Sequence, residues 1–367
     1  MRQLLLVATA LMLAGPAFGQ SKTGPDPKDV ESAVEKGYEF LKSRQKTDGS
    51  FEPARGGPGT TALIVAAIIR LGKPIDDPVV AKALVFLEKS VQKDGGIYNK
   101  FLANYTTSIA LVTFKEANKD GKYNAVIANA TKFLKSIQQG GSDTELPFGG
   151  FGYDAPGAKS RPDASNTHFT VEALIAAGVP KDDPAVKNAL IFLSRCQNLP
   201  GEANKFEYAK KATEADKGGF VYNPADATNE KSDKRTPEGG LRSEGGMTYA
   251  GLKSFLYAGV GKEDPRVKAA IDWIKRHYTL EENPGQKDTG LFYYYHVFAK
   301  AMDALGEDEF EDAAGKKHDW RKELFETLRS KQAADGSWVN KNGQFLENTP
   351  ELATAFALLS VSYVTKK

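Results

Sequence analysis

Gln332-Ala333-Ala334-Asp335-Gly336-Ser337-Trp338, closing an amphipathic stretch that contains Leu324, decides the fold because it is not unique. Near the other end of the chain Tyr38-Glu39-Phe40-Leu41 leads to Gln45, and Asp48-Gly49-Ser50-Phe51 follows. Working inward, Phe86-Leu87 to Gln92 precedes Gly95-Gly96-Ile97-Tyr98, and Phe133-Leu134 to Gln138 precedes Gly149-Gly150-Phe151. Phe192-Leu193 to Gln197 precedes Gly218-Gly219-Phe220, and Trp273-Ile274 precedes Gly290-Leu291-Phe292 without the glutamine. Six copies of one phrase mark stacked helical units that bury their apolar faces only against neighbours.

Each copy follows a helix with a charged face, such as 30–44 or 184–195, which reads as an outer, half-solvated helix. Between them lie stretches that are apolar nearly all round: 61–69, 106–112, 169–177, 248–257, 293–305 and 352–361. Helices of that kind are buried. The alternation predicts an all-α chain, an (α/α)6 toroid of six helical-hairpin repeats with parallel inner helices around a central cavity. Inner segments end near Gly72, Gly178 and Gly259, and outer ones open with Asp77-Pro78, Asp183-Pro184 or Asp264-Pro265, an N-cap followed by proline at the first helical position. Capping therefore accounts for Asp76-Asp77 and Asp182-Asp183, which superficially resemble paired catalytic carboxylates. Two connections are long, 139–165 and 198–246; both precede inner helices and are expected over the same mouth of the ring.

The chain has 367 residues, 41% of them hydrophobic, enough for one large helical array. With 49 Lys+Arg against 47 Asp+Glu there is no basic field to attract nucleic acid. Residues 1–19 read as a signal peptide, with Arg2, an apolar run over 4–14, and small residues Ala17 and Gly19 before the expected cut. A short segment 20–29 then precedes the toroid domain at 30–363, and the mature protein is expected to be exported, periplasmic or extracellular. No other stretch approaches the roughly twenty apolar residues of a membrane span. Cys196 is alone, so no internal disulfide is expected, and it reads as a buried structural thiol.

The recurring Gln and Asp-Gly-Ser-aromatic phrase resembles the repeat shared by squalene and oxidosqualene cyclases and the β-subunits of protein prenyltransferases. The resemblance spans about 30–363 and implies a terpenoid-cyclase-like α/α toroid in which Gln45, Phe51, Gln332 and Trp338 are scaffold. The motifs that carry chemistry in such families are missing. There is no Asp-x-Asp-Asp acid cluster, the thiol Cys196 follows Ser194 where a zinc site needs Asp, and the Gly-Cys-Gly-Glu-Gln thioester string is absent. No metal and no cofactor are expected.

The remaining polar chemistry lies where inner helices begin: Thr60-Thr61, Asn104-Tyr105-Thr106, Asp163 with Asn166-Thr167-His168, Met247-Thr248-Tyr249, Tyr293-Tyr294-Tyr295-His296 and Asn348-Thr349. A ring of helix N-termini favours an anionic or hydrogen-bond-accepting group there, although Asn, Thr and Ser at such points also serve as caps. Asn348 to Glu351 has the spacing of a capping box. His168 and Glu172 stand four apart, so the carboxylate can orient the imidazole, with Asp163 completing an acid-base set. Tyr105, Asn166, Thr248, Tyr249, Tyr294, His296 and Asn348 are the expected ligand contacts. Three functions follow from this set: an exported protein that binds an apolar or isoprenoid-like molecule in the cavity, a divergent enzyme of the same fold (terpene-cyclase-like, or a polysaccharide lyase or hydrolase), or an exported protein-interaction scaffold.

Overall fold

The computed structural model describes residues 23–51, 57–153 and 160–365. The expected signal peptide lies outside the described residues. Among the described residues thirteen α-helices run in the order α1 (Pro27–Arg44), α2 (Gly57–Arg70), α3 (Pro78–Lys89), α4 (Ala103–Ala117), α5 (Asn124–Ser136), α6 (Ala164–Ala176), α7 (Pro184–Arg195), α8 (Glu207–Lys210), α9 (Gly245–Tyr257), α10 (Pro265–His277), α11 (Leu291–Leu305), α12 (Trp320–Lys331) and α13 (Pro350–Val361). Apart from the single turn α8, outer and inner helices alternate. The inner six, α2, α4, α6, α9, α11 and α13, touch in that order and α13 returns to α2, which closes the ring. Their burial follows their composition: every residue from Thr60 to Ile68 in α2 and from Leu352 to Val361 in α13 is buried.

Each outer helix packs against the inner helix that precedes it, α3 on α2, α5 on α4, α7 on α6, α10 on α9 and α12 on α11, while α1 packs on α13 and joins the two ends. The Asp-Pro starts behave as caps. Asp77 accepts from the Val79 N–H at 2.9 Å, Asp183 from Ala185 at 2.9 Å and Asp264 from Arg266 at 2.9 Å.

The repeated phrase ties outer helices to one another. Gln45 Nε2 donates to Gly49 O (3.1 Å) and to Val79 O in the first turn of α3 (2.8 Å). Gln138 reaches Ala185 O, Gln197 reaches Arg266 O, and Gln332 reaches Ala33 O, each at 2.8 to 2.9 Å. The last of these spans the closure between α12 and α1. Gln92 departs from the pattern and donates within its own turn, to Tyr98 O at 2.7 Å. The glycine is required twice over: Gly49 and Gly336 hold φ of +92° and +88°, and a Cβ there would lie 2.2 Å from Lys82 O or 2.3 Å from Lys36 O on the next outer helix. The N–H two residues after this glycine is received by a threonine of the inner helix, Phe51 by Thr61, Ile97 by Thr107, Phe151 by Thr167, Phe220 by Thr248 and Trp338 by Thr354, at 2.8 to 3.1 Å.

The capping box expected at Asn348 to Glu351 does not form. Thr349 caps α13 without a side-chain bond, and Glu351 instead pairs with Arg44 Nε at 2.8 Å, tying α13 to α1. The 198–246 connection folds on itself: Phe220 bridges to both Gln197 and Glu244, and Asn198 Nδ2 donates to Leu241 O at 2.7 Å.

Candidate functional site

A cavity of about 350 Å³ opens at one end of the ring. It is lined from the first two turns of all six inner helices: Thr60 and Leu63, Tyr105, Ser165, Met247, Tyr293, and Leu352 with Phe356. The inner helices are therefore parallel, with their N-termini at one mouth. The two long loops add Tyr153 and Tyr222, whose hydroxyls meet at 2.6 Å over this mouth, and the 310 turn Gln344–Leu346 adds Phe345 and Leu346. The wall is mainly aliphatic and aromatic. Polar groups are set into it, among them Thr60, Ser165, Asn283 and Gln286, a mixture found in small-molecule sites.

Two carboxyl groups lie in that wall. Glu347 is fully buried; its Oε1 accepts from the Tyr293 N–H (2.7 Å), its Oε2 from the Phe292 N–H (3.2 Å) and from Asn340 Nδ2 (2.9 Å). It thus caps α11 from the segment that leads into the neighbouring inner helix α13, where the sequence supplies only Gly290. Glu244 precedes α9 and pairs with Lys234 at 3.0 Å. Burial raises the pKa of both above the ordinary glutamate value. Behind Ser165, Asp163 caps α6 and accepts from Asn166 N (2.7 Å) and Asn166 Nδ2 (2.9 Å). Burial lifts it to about 7 against those bonds.

Below the cavity the ring narrows to a chamber of about 20 Å³ shared by α2, α4, α6, α11 and α13. Here the inner helices carry charge. Glu172 Oε2 receives Lys253 Nζ at 2.7 Å, and Glu172 Oε1 is bonded to Lys300 Nζ. Lys253 Nζ also lies 3.0 Å from His168 Nδ1, and His168 Nε2 lies 2.6 Å from the Tyr293 hydroxyl. The two ammonium groups hold the Glu172 carboxyl well below the usual range despite its burial. Burial, with Lys253 beside it, pushes His168 well below the ordinary imidazole value, so the ring is neutral. Burial lowers Lys300 to about 8.

This network redistributes the expected site residues. His168 and Glu172 share a face of α6, but the Lys253 ammonium stands between them and replaces the direct pairing read from their spacing. Asp163 and Asn166 serve the α6 cap, and Asn166 Oδ1 also accepts from Asn104 Nδ2 at 3.3 Å. Tyr105 is in the cavity wall. His296 lies in the lower chamber beside Lys300. Thr248 donates to Glu244 O (2.8 Å) and is scaffold, while Tyr249 is buried against Tyr294 and Phe298. Tyr294 turns outward to donate to Thr279 O at 2.6 Å, and Asn348 is exposed beside the buried Glu347. The α11 aromatic that faces the cavity is Tyr293. Lys253, Lys300, Glu244 and Glu347 were not singled out from the sequence; for the lysines, a lone charge in the uncharged runs Gly251 to Phe255 and Phe298 to Met302 was the available signal.

The squalene-hopene cyclase C-terminal domain model matches residues 56–213. No curated protein matches. Among solved structures, the type II terpene cyclase MstE from Scytonema is 13% identical over 92% of this chain and 98% of its own, with a TM-score of 0.53. A D-mannose isomerase is 12% identical over 96% and 99%, with a TM-score of 0.58. An inactive variant of an α-1,6-mannanase of Salegentibacter, solved with α-1,6-mannotriose, is 12% identical over 92% and 99%, with a TM-score of 0.54. At such identities these likenesses concern the fold. Repeat and ring together make this chain a squalene-cyclase-like α/α toroid.

Proposed function

We propose that this protein is exported and binds an apolar, isoprenoid-like molecule in the cavity formed by the N-terminal turns of its inner helices. The observation that carries the reading is the wall itself: Leu63, Tyr105, Met247, Tyr293, Leu352 and Phe356 converge from five inner helices on about 350 Å³ of space. Burial of an apolar ligand against such a wall is favoured at roughly 25 cal/mol per Å² of surface removed from water. A solved form of MstE holds geranylgeranyl dihydroxybenzoate, a prenyl substrate, in a toroid of this fold. Titration with farnesol and geranylgeraniol, followed by native mass spectrometry, is expected to give saturable one-to-one binding that Leu352→Arg abolishes. Absence of saturable binding by the folded wild type counts against the reading.

A carbohydrate-processing reading draws on Glu244 and Glu347, two buried carboxyls with raised pKa in one wall, since glycoside hydrolysis employs an acid and a carboxylate at opposed positions. Release of reducing sugar from mannan or related polysaccharides, lost in Glu244→Gln and Glu347→Gln, would favour it over the first.

A further inference from the structure

We propose that the Tyr293 hydroxyl forms a directed hydrogen-bond donor for a carbonyl-type oxygen on the apolar molecule in the cavity, oriented from below by His168 and Lys253. The proposal rests on the apolar-ligand reading of the cavity and names the class of ligand: an apolar, isoprenoid-like ketone, quinone or ester in place of a bare hydrocarbon.

The direction of the donor follows from what each group is able to give. An ammonium has three donors and no acceptor, so Lys253, 3.0 Å from His168 Nδ1, donates there. It also donates to Glu172 Oε2 at 2.7 Å, in a place where no solvent reaches it. A neutral imidazole that accepts at Nδ1 carries its proton on Nε2. That N–H points at the Tyr293 oxygen 2.6 Å away and occupies it as an acceptor. The proton of the tyrosine must then be given elsewhere. Tyr293 lines the cavity, and so do Ser165, Tyr105 and Tyr153 beside it. Where that proton passes to one of these hydroxyls, the receiving hydroxyl's own proton is left over in its place. Either way one hydroxyl proton is directed into the cavity, where an acceptor oxygen on the ligand satisfies it and a hydrocarbon does not.

The surroundings hold Tyr293 at that position. Glu347 Oε1 fixes its backbone N–H at 2.7 Å, Phe356 meets its ring edge to face with centroids 5.9 Å apart, and Phe169 lies at 6.2 Å. His168 and Lys253 do not line the cavity, so they act as positioning residues through Tyr293.

Geranylacetone and the hydrocarbon in which a methylene group replaces its carbonyl oxygen are the probes. Wild-type protein is expected to bind the ketone about tenfold more tightly than the hydrocarbon, and the infrared carbonyl stretch of the bound ketone is expected to move to lower frequency. Tyr293→Phe should reduce the preference to within about twofold with hydrocarbon affinity retained, and Lys253→Met should do the same with the tyrosine still present. The imidazole nitrogen shifts of His168 in unaltered protein should report a neutral ring protonated at Nε2, a readout that needs no variant to fold. Equal binding of both probes by the wild type, or an unshifted carbonyl stretch, overturns the proposal and leaves the apolar-ligand reading standing. Binding of neither probe overturns both.

Discussion

Lys253 Nζ sits 2.7 Å from Glu172 Oε2 with its side chain wholly out of solvent, joining α9 to α6 beneath the cavity. A charge in that position is tolerable only because its partner is fixed: Glu172 in turn binds Lys300 of α11, so one carboxylate on α6 neutralises part of two ammonium groups, one on α9 and one on α11.

Removal of the carboxylate by Glu172→Ala leaves both lysines buried without a counter-ion, and a loss of about 3–5 kcal/mol is expected in chemical denaturation. Because the Glu172 pKa is depressed in the folded state, its contribution is present above the unfolded glutamate pKa and disappears as pH falls. Wild type and variant should therefore converge in stability under acid. A constant difference down to pH 2 would contradict this account.

Asp163 has the opposite sign. Its folded pKa of about 7 lies above the ordinary aspartate value, so the folded state binds the extra proton between those limits and stability conferred by this group falls as pH rises through them. In Asp163→Asn that component is gone. Denaturation curves at pH 4, 5, 6 and 7 are expected to show the variant gaining on wild type by up to about 1.4 kcal/mol per pH unit; parallel curves would place the Asp163 pKa near its ordinary value.

Gln332 and Gln92 look alike in sequence and should behave differently. Gln332→Ala removes the donor to Ala33 O across the ring closure as well as the bond to Gly336 O, at a cost of about 1–2 kcal/mol and with faster amide exchange in α1. Gln92→Ala loses bonds only within its own turn and is expected to leave neighbouring helices protected. Equal exchange in the two variants would deny Gln332 its role in closure.

Cys196 is buried, and burial pushes its thiol well above the ordinary value. A thiol reagent such as dithionitrobenzoate should therefore react only after denaturation. Prompt stoichiometric labelling of native protein would show the C-terminal end of α7 to be open.

Much of the architecture was readable because it is local and repeated. Gln45 and Gln332, with Asp-Gly-Ser-aromatic after each, encode a turn whose glycine is demanded by a positive φ and a neighbouring carbonyl, and Asp77, Asp183 and Asp264 mark helix starts through bonds two residues away. The mouth formed by inner-helix beginnings was likewise legible. The chemistry beneath it was not, because its partners are remote in sequence: His168 meets Lys253 85 residues on and Tyr293 125 residues on. Spacing of four along one helix favoured His168 with Glu172, and only the packing of α9 against α6 inserts a lysine between them. Tyr293, Tyr294 and Tyr295 are equivalent by composition; the rotation of α11 alone turns the first inward. Glu347 escaped notice for the same reason, since it caps a helix 54 to 55 residues earlier in the chain.

The contacts that close the ring have a topological consequence. α1 packs on α13, Arg329 of α12 pairs with Asp29 at 2.6 Å, Gly24 N donates to Asp319 at 2.6 Å, and Gly24 lies beside the Val364 carbonyl. The circle thus has a seam instead of two free edges, and the seam is stitched by the same kinds of bond as every other junction. A circular permutant that links Val364 to Gly24 through a short flexible peptide and opens between the exposed Lys119 and Asp120 keeps each of these stitches, so the position of the break is a property of the gene and not of the fold.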